Sequence, residues 1–176
     1  MKKYLLLAIV LFVFIGCKPT KESRLEEINK LEKQTLIDAK AISQSRADSL
    51  LNMYDSFIED FPKDTNAMTI LYNAADICAN VKYCDRAISY LERLIDDFPS
   101  SQIAELAKFK MGVVYEQACN NKEKAKEAYI LFKKEYPNSS MSNDADIMLY
   151  MLEMSDETEI IREFEAKNTE TPTTEN

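Results

Sequence analysis

The chain contains no histidine. That single absence removes Ser-His-Asp and Cys-His catalysis, histidine-ligated zinc and a histidine-based pH switch. Glycine is nearly as scarce, with only Gly16 and Gly112 among 176 residues. A β-rich fold with many tight turns would need more, so the composition favours helices. Positive charge is also short: the formal net charge is −8, and −10 without Lys2 and Lys3 of the N-terminal leader described below. An acidic domain without a basic stripe is a poor candidate for nucleic acid, whose affinity comes mostly from phosphate neutralisation. Such a charge reads as a solvated surface that keeps the protein soluble. Paired carboxylates such as Asp96-Asp97 and Glu26-Glu27 are neighbours in sequence. They diverge on a helix and carry no acid–base signal.

What is abundant is the vocabulary of helices: Ala, Leu, Lys, Glu and Met, with apolar residues at helical spacing. Three times a helical stretch closes on an aromatic residue and proline, at Phe61-Pro62, Phe98-Pro99 and Tyr136-Pro137, and the prolines lie 37 and 38 residues apart. Counting back twelve, eight and five residues from each proline gives Leu50, Tyr54 and Phe57, then Ala87, Leu91 and Leu94, then Ala125, Tyr129 and Phe132. A fixed period in the high thirties marks a stacked array of helical hairpins. Each proline stops its helix and sets the entry to the next hairpin.

The expected fold is all-α, a short α-solenoid of helical hairpins with a C-terminal capping helix. The array is expected over residues 24–154. Leu25, Ile28, Leu31, Leu36, Ile37, Ala41 and Ile42 fit a first amphipathic helix with one slip in phase. Helices follow over 46–61, 67–79, 85–98, 101–118, 123–136 and 142–154, with Asp64 and Thr65 as cap residues. Ser155-Asp156 reads as a fresh helix start, so residues 155–167, with Ile160, Ile161 and Phe164, are expected to fold as a lid over the end of the stack. Residues 168–176 are polar and Thr-rich and read as disordered.

The N-terminus carries two lysines and then an unbroken apolar run from Leu5 to Ile15, too short to span a bilayer comfortably and typical of a secretory signal. It ends Phe14-Ile15-Gly16-Cys17, which resembles the bacterial lipoprotein cleavage box, although the usual first position is Leu. The resemblance implies a signal peptide over 1–16, lipid attachment at Cys17 and a tether over 17–23. One acyl chain holds a protein only marginally, at about 0.8 kcal/mol per buried CH₂, whereas the several chains implied here would anchor it firmly.

The repeat residues resemble the tetratricopeptide repeat. Leu71-x-x-Ala74-x-x-Ile77 and Phe109-x-x-Gly112-x-x-Tyr115 match the first helix of that repeat, and Ala87 and Ala125 with their following aromatics, leucines and prolines match the second. The stretches from Phe98 to Tyr115 and from Lys124 to Pro137 are similar to the repeats of the lipoprotein subunit of the β-barrel assembly machinery and of the Tol–Pal coordinator protein. The resemblance covers roughly residues 46–153 and implies a small lipoprotein of the Bacteroidota type, lipid-anchored to the outer membrane and facing the periplasm. In this repeat family the first helices line a concave face. By repeat alignment that face comprises Met68, Leu71, Tyr72, Ala75 and Ala79, then Leu106, Phe109, Lys110, Val113 and Gln117, then Ile147 and Met148. It would take an extended peptide or partner helix.

The expected function is therefore a non-catalytic scaffold for a cell-envelope protein, an accessory of outer-membrane biogenesis, with no cofactor, no metal and no nucleic acid. One alternative is a structural lipoprotein that forms homo-oligomers by end-to-end stacking. Another is an accessory subunit of a peptidoglycan-modifying enzyme; for such an enzyme fused to the repeats there is no room, since repeat patterns occupy nearly all of residues 46–165. Three cysteines remain beyond Cys17. Cys78 and Cys84 flank one inter-helix turn, where a disulfide would pin the hairpin; Cys119 occupies the equivalent turn one repeat later and competes for either partner. The three lack a fourth ligand and the C-x₂-C spacing of a metal site.

Overall fold

The computed structural model describes residues 19–37 and 42–169. Every regular element among them is an α-helix. The chain divides into two compact units, residues 1–40 and 41–176. The first contains α1 (Lys21–Ile37). Its N-terminus is capped by Thr20, whose hydroxyl accepts from the Ser23 amide at 3.2 Å, so the expected tether is already helical from Lys21. The expectation of one array from residue 24 is corrected in the same way, because α1 belongs to a unit of its own. The leader, Cys17 and Ala41 lie outside the described residues, and Ile42 stands ahead of the next helix rather than in the first one.

The second unit is the array: α2 (Gln44–Asp60), α3 (Thr65–Asn80), α4 (Cys84–Asp97), α5 (Gln102–Gln117), α6 (Lys122–Glu135) and α7 (Ser142–Thr169). Consecutive helices pack on each other, and α3 also touches α5, which is the nearest-neighbour pattern of a solenoid. Side chains of Ser43, Asp64, Ser101 and Asn121 cap α2, α3, α5 and α6 by accepting backbone N–H bonds from the first turn.

The aromatic-proline corners are three copies of one structure. Phe61, Phe98 and Tyr136 sit at the C-caps with φ/ψ of −133/54, −135/51 and −126/58°. Each donates its N–H to the carbonyl four residues back, at Phe57, Leu94 and Phe132. Each carbonyl then accepts from the residue three ahead, Asp64, Ser101 or Ser139, at 3.0–3.1 Å. The ring lies back on its own helix: Phe61 is 5.1 Å from Phe57 and Tyr136 is 5.3 Å from Phe132, centroid to centroid.

Behind the corners, Leu50, Tyr54, Phe57, Ala87, Leu91, Leu94, Ala125, Tyr129 and Phe132 are all buried, as the spacing predicts. The first helices obey a different count. The α3–α4 connection has three residues (81–83) and the α5–α6 connection four (118–121), so α3 and α5 align with a step of 37. Buried Ala67, Ile70 and Ala75 correspond to buried Ala104, Ala107 and Gly112. Alignment of Leu71 with Phe109, a step of 38, was one residue out.

The C-terminal expectation is corrected. No new helix starts at Ser155; α7 runs unbroken to Thr169. The Ser155 hydroxyl donates back to the Leu152 carbonyl at 2.8 Å and Thr158 to that of Met154 at 2.9 Å. Used this way, the hydroxyls sit within the helix instead of capping it. Asp156 is held by Lys122 and Lys126 of α6. Ile160 and Ile161 are exposed and form no lid. Residues 168 and 169 are helical, and 170–176 lie outside the described residues.

Gly112 is a point of close approach between α5 and α6. A Cβ there would stand 2.4 Å from Tyr129 Cε1, a ring carbon of a fully buried side chain that has no room to retreat. The equivalent pair in the preceding hairpin is Ala75 and Leu91, both fully buried. Size is traded across the contact, small against aromatic in one repeat and larger against aliphatic in the other. Gly112→Ala should therefore destabilise by a net ~1–2 kcal/mol in urea titrations, overpacking outweighing the roughly 1 kcal/mol of better helix propensity. Adding Tyr129→Leu to that variant should recover part of the loss. Additive effects of the two changes would show that the contact does not decide the cost.

Candidate functional site

The structure sorts the residues expected on the first-helix face. Leu71 and Ala75 are fully buried and belong to the core. Phe109 is also spent on packing, with its ring 5.5 Å from both Tyr129 and Phe132. Val113 and Met148 lean on the same cluster. Packed and free positions occur within each helix, because the expected face was drawn wide enough to cross the edge of the core on both α3 and α5. Met68, Tyr72, Ala79, Leu106 and Lys110 remain half-buried, while Gln117 and Ile147 are exposed.

The free part of this face is organised by one cluster. Lys110 on α5 forms an ion pair with Asp76 on α3, and its Nζ lies 5.7 Å from the centroid of the Tyr72 ring. Burial pushes the Tyr72 hydroxyl above its ordinary range, opposed by the Lys110 ammonium and reinforced by Asp76. The cluster therefore joins two successive first helices and presents an aromatic ring beside a neutralised cation. Asp76, one turn from Tyr72 and paired with Lys110, belongs to this face although the expected set does not contain it.

The cysteines pair differently from the expected Cys78–Cys84 bridge. Cys84 is bonded to Cys119, with a Cα–Cα distance of 5.0 Å, and Cys78 is a buried free thiol. Cys78 lies in the last turn of α3 with its side chain buried in the core, whereas Cys84 begins α4. The bond joins the first residue of α4 to the α5–α6 connection of the next hairpin. Lys82, at φ 64°, reinforces it by donating to the Gln117 carbonyl, and Asn120 is also left-handed at φ 50°. Both are turn positions without glycine, and Asn tolerates that region better than Lys. A loop of 35 residues gives the bridge about 4 kcal/mol in the chain-entropy picture, more than a short loop would.

A second polar network fastens α2 to α4. Arg86 pairs with Asp55 at 2.7 Å, Tyr90 donates its hydroxyl to the same carboxylate, and Arg86 Nε donates to the Tyr90 oxygen at 3.2 Å. Burial is the main reason that the Tyr90 hydroxyl holds its proton far above the ordinary range, with the Asp55 bond adding to it. Its three members are committed to one another across an inter-helix contact, which is a structural role. Among the described residues no group of His, Cys, Asp and Glu is placed to hold a metal ion, and no helix is long and apolar enough to cross a membrane.

Residues 106–139 match the tetratricopeptide repeat family. The match spans most of α5, all of α6 and the third corner. No curated protein matches the chain. Residues 106–139 thus form a tetratricopeptide-like repeat within an array that is all-helical among the described residues, and repeats of this kind commonly serve protein–protein interaction.

Two outcomes test the cysteine assignments. Non-reducing digestion should yield a cross-linked peptide pair containing Cys84 and Cys119, and Cys78 should alkylate only after unfolding. Burial raises the Cys78 thiol from 9.0 to about 12. The folded state therefore keeps a proton that the unfolded state loses first. Stability from this group is intact below pH ~9 and falls as pH rises towards ~12. Cys78→Ala should flatten that alkaline loss; an unchanged slope would assign it to the buried tyrosines instead.

Proposed function

We propose that this tetratricopeptide-repeat chain is a non-catalytic, lipid-anchored scaffold of the bacterial cell envelope, tethered through Cys17 to the periplasmic leaflet of the outer membrane. The observation that carries the scaffold reading is the face shared by α3 and α5. There Tyr72, Met68 and Leu106 stand half-buried around the Asp76–Lys110 pair. Apolar anchors beside a satisfied charge suit an extended peptide or a partner helix, because the face can be covered without stranding a charge.

The envelope location draws support from two independent features. The apolar run and Gly16-Cys17 resemble a lipoprotein signal. A disulfide between Cys84 and Cys119 suits an oxidising compartment, where such bonds persist. The resemblance of the repeats to the assembly-machinery lipoprotein and the Tol–Pal coordinator makes an accessory role in outer-membrane biogenesis the first pathway to examine.

Metabolic labelling with a fatty acid should mark the wild type and fail in Cys17→Ala. Affinity capture from solubilised envelope should return defined envelope proteins, and Tyr72→Ala with Leu106→Ser should reduce their recovery about tenfold if the two residues act as anchors. Labelling that persists without Cys17 would refute the anchor. Capture of this chain alone would refute the scaffold and favour self-stacking.

A further inference from the structure

The last helix carries an apolar face that no described element covers. Ile147, Tyr150, Met151 and Met154 follow one another at helical spacing on α7 and are 55, 63, 59 and 44% exposed. The opposite face of the same helix, with Ala145, Met148, Leu149 and Leu152, packs on the cluster around Tyr129 and Phe132. The interior of the array shows what belongs on the open side. On α5, Phe109, Gly112 and Glu116 all meet Tyr129 of α6: by ring contact, by close approach and through the tyrosine hydroxyl. The corresponding residues of α7, 38 positions on, are Ile147, Tyr150 and Met154. The face is the seat of a second helix, built in the first-helix position and left empty among the described residues.

Charge selects the occupant. Over the span of the stripe, residues 142–156, α7 carries four carboxylates (Asp144, Asp146, Glu153 and Asp156) and no basic residue. On its packed side it already accepts a basic helix, since α6 has five lysines against three glutamates and ties Lys133 to Asp146 and both Lys122 and Lys126 to Asp156. A second copy would set one acidic helix against another, and an anionic lipid surface would be repelled. Residues 170–176, Glu-Thr-Pro-Thr-Thr-Glu-Asn, offer no apolar anchor. Size gives a further condition. Where α5 has Gly112 opposite a tyrosine, α7 has Tyr150, so the occupant must present a small residue at that crossing.

We infer that the outer face of α7 docks a basic amphipathic helix of another protein, seated on Ile147, Tyr150, Met151 and Met154 with a small residue against Tyr150. This goes beyond the scaffold reading above, which rests on α3 and α5, and the two can fail separately.

The probe is a fluorescent peptide with the sequence of α6 carrying Tyr129→Ala, held helical by a hydrocarbon staple. Its control has every Lys and Glu exchanged. Anisotropy titrations use the full-length chain in zwitterionic nanodiscs. The basic peptide should bind at least about tenfold tighter than its charge-reversed control, and added salt should narrow the difference. Tyr150→Ser with Met154→Ser should weaken it at least about tenfold with an unchanged melting curve, because both residues are exposed in the free protein. Tyr72→Ala should leave it unaffected. Equal binding of both peptides, no binding up to about 1 mM, or indifference to the double substitution would overturn the proposal. So would a wild-type dimer in sedimentation that the double substitution dissolves, since that assigns the face to a second copy.

Discussion

The array depends on what happens where an aromatic residue meets proline. Proline's ring disfavours the helical region for the residue before it, and its missing N–H removes the donor that the next turn would need. Phe61, Phe98 and Tyr136 respond with the same backbone geometry to within ten degrees. Because each carbonyl then accepts from the residue three ahead, the chain is handed to the next helix at a fixed distance and direction. Two of those receiving residues, Asp64 and Ser101, are themselves the N-caps of the following helices. The stop and the restart are one hydrogen-bonded unit, so repeating it repeats the packing. Fixing the corners also brings remote charges together. Lys63 reaches Asp97 at 2.7 Å and Ser139 reaches Glu105 at 2.6 Å, each across about one repeat of sequence.

Much of this could be read from residues alone, because the corner acts locally. Counting back twelve, eight and five residues from proline lands on a buried position every time in α2, α4 and α6, since nothing of variable length lies between them and the corner. The first helices cannot be counted that way. They are separated from the downstream proline by a turn whose length differs by one residue between hairpins, and a one-residue change rotates a helical position by about 100°. That is enough to misplace one first helix against the next, and the expected open face was also drawn too wide, taking in Leu71, Ala75 and Phe109, which pack inward. The disulfide was illegible for a related reason. Cys78 and Cys84 are close in sequence, but one lies on a core-facing turn of helix and the other at a helix start. Cys84 and Cys119 become neighbours only after the hairpins stack. The helix start expected at Ser155 failed because a hydroxyl can cap a new helix or bond back within an old one, and the choice is made by surroundings. Here two lysines of α6 hold Asp156 in the middle of α7.

The electrostatics follow the same alternation as the packing. The chain is acidic overall, yet α6 is basic and lies between α5 and the strongly acidic α7. Lys108 pairs across to Glu135, Lys133 to Asp146, and Lys122 and Lys126 converge on Asp156. The side chains of these pairs are 28 to 57% exposed, so each pair adds little to stability by itself. Their effect is selective. They favour one helix order and one register over alternatives in which like charges would meet, which matters in a fold whose hairpins are otherwise similar enough to exchange places.

A solenoid is stabilised by interfaces between neighbours, so its last element always has one face with no neighbour. What that face is made of distinguishes an end from an interrupted surface. An end that only needs to be soluble would carry polar residues at the positions that interior helices use for contact. α7 keeps aliphatic and aromatic residues there, at the positions where α5 receives Tyr129, and sets Asp144, Asp146 and Glu153 along the edges of the stripe. The exposed apolar side chains are four successive neighbours on one stripe, not scattered singles of the kind that surfaces normally tolerate. α7 therefore retains the chemistry of an interior first helix on its outer side. The same repeat rule that fills the interior of the array leaves, at its last helix, a contact that only another helix can complete.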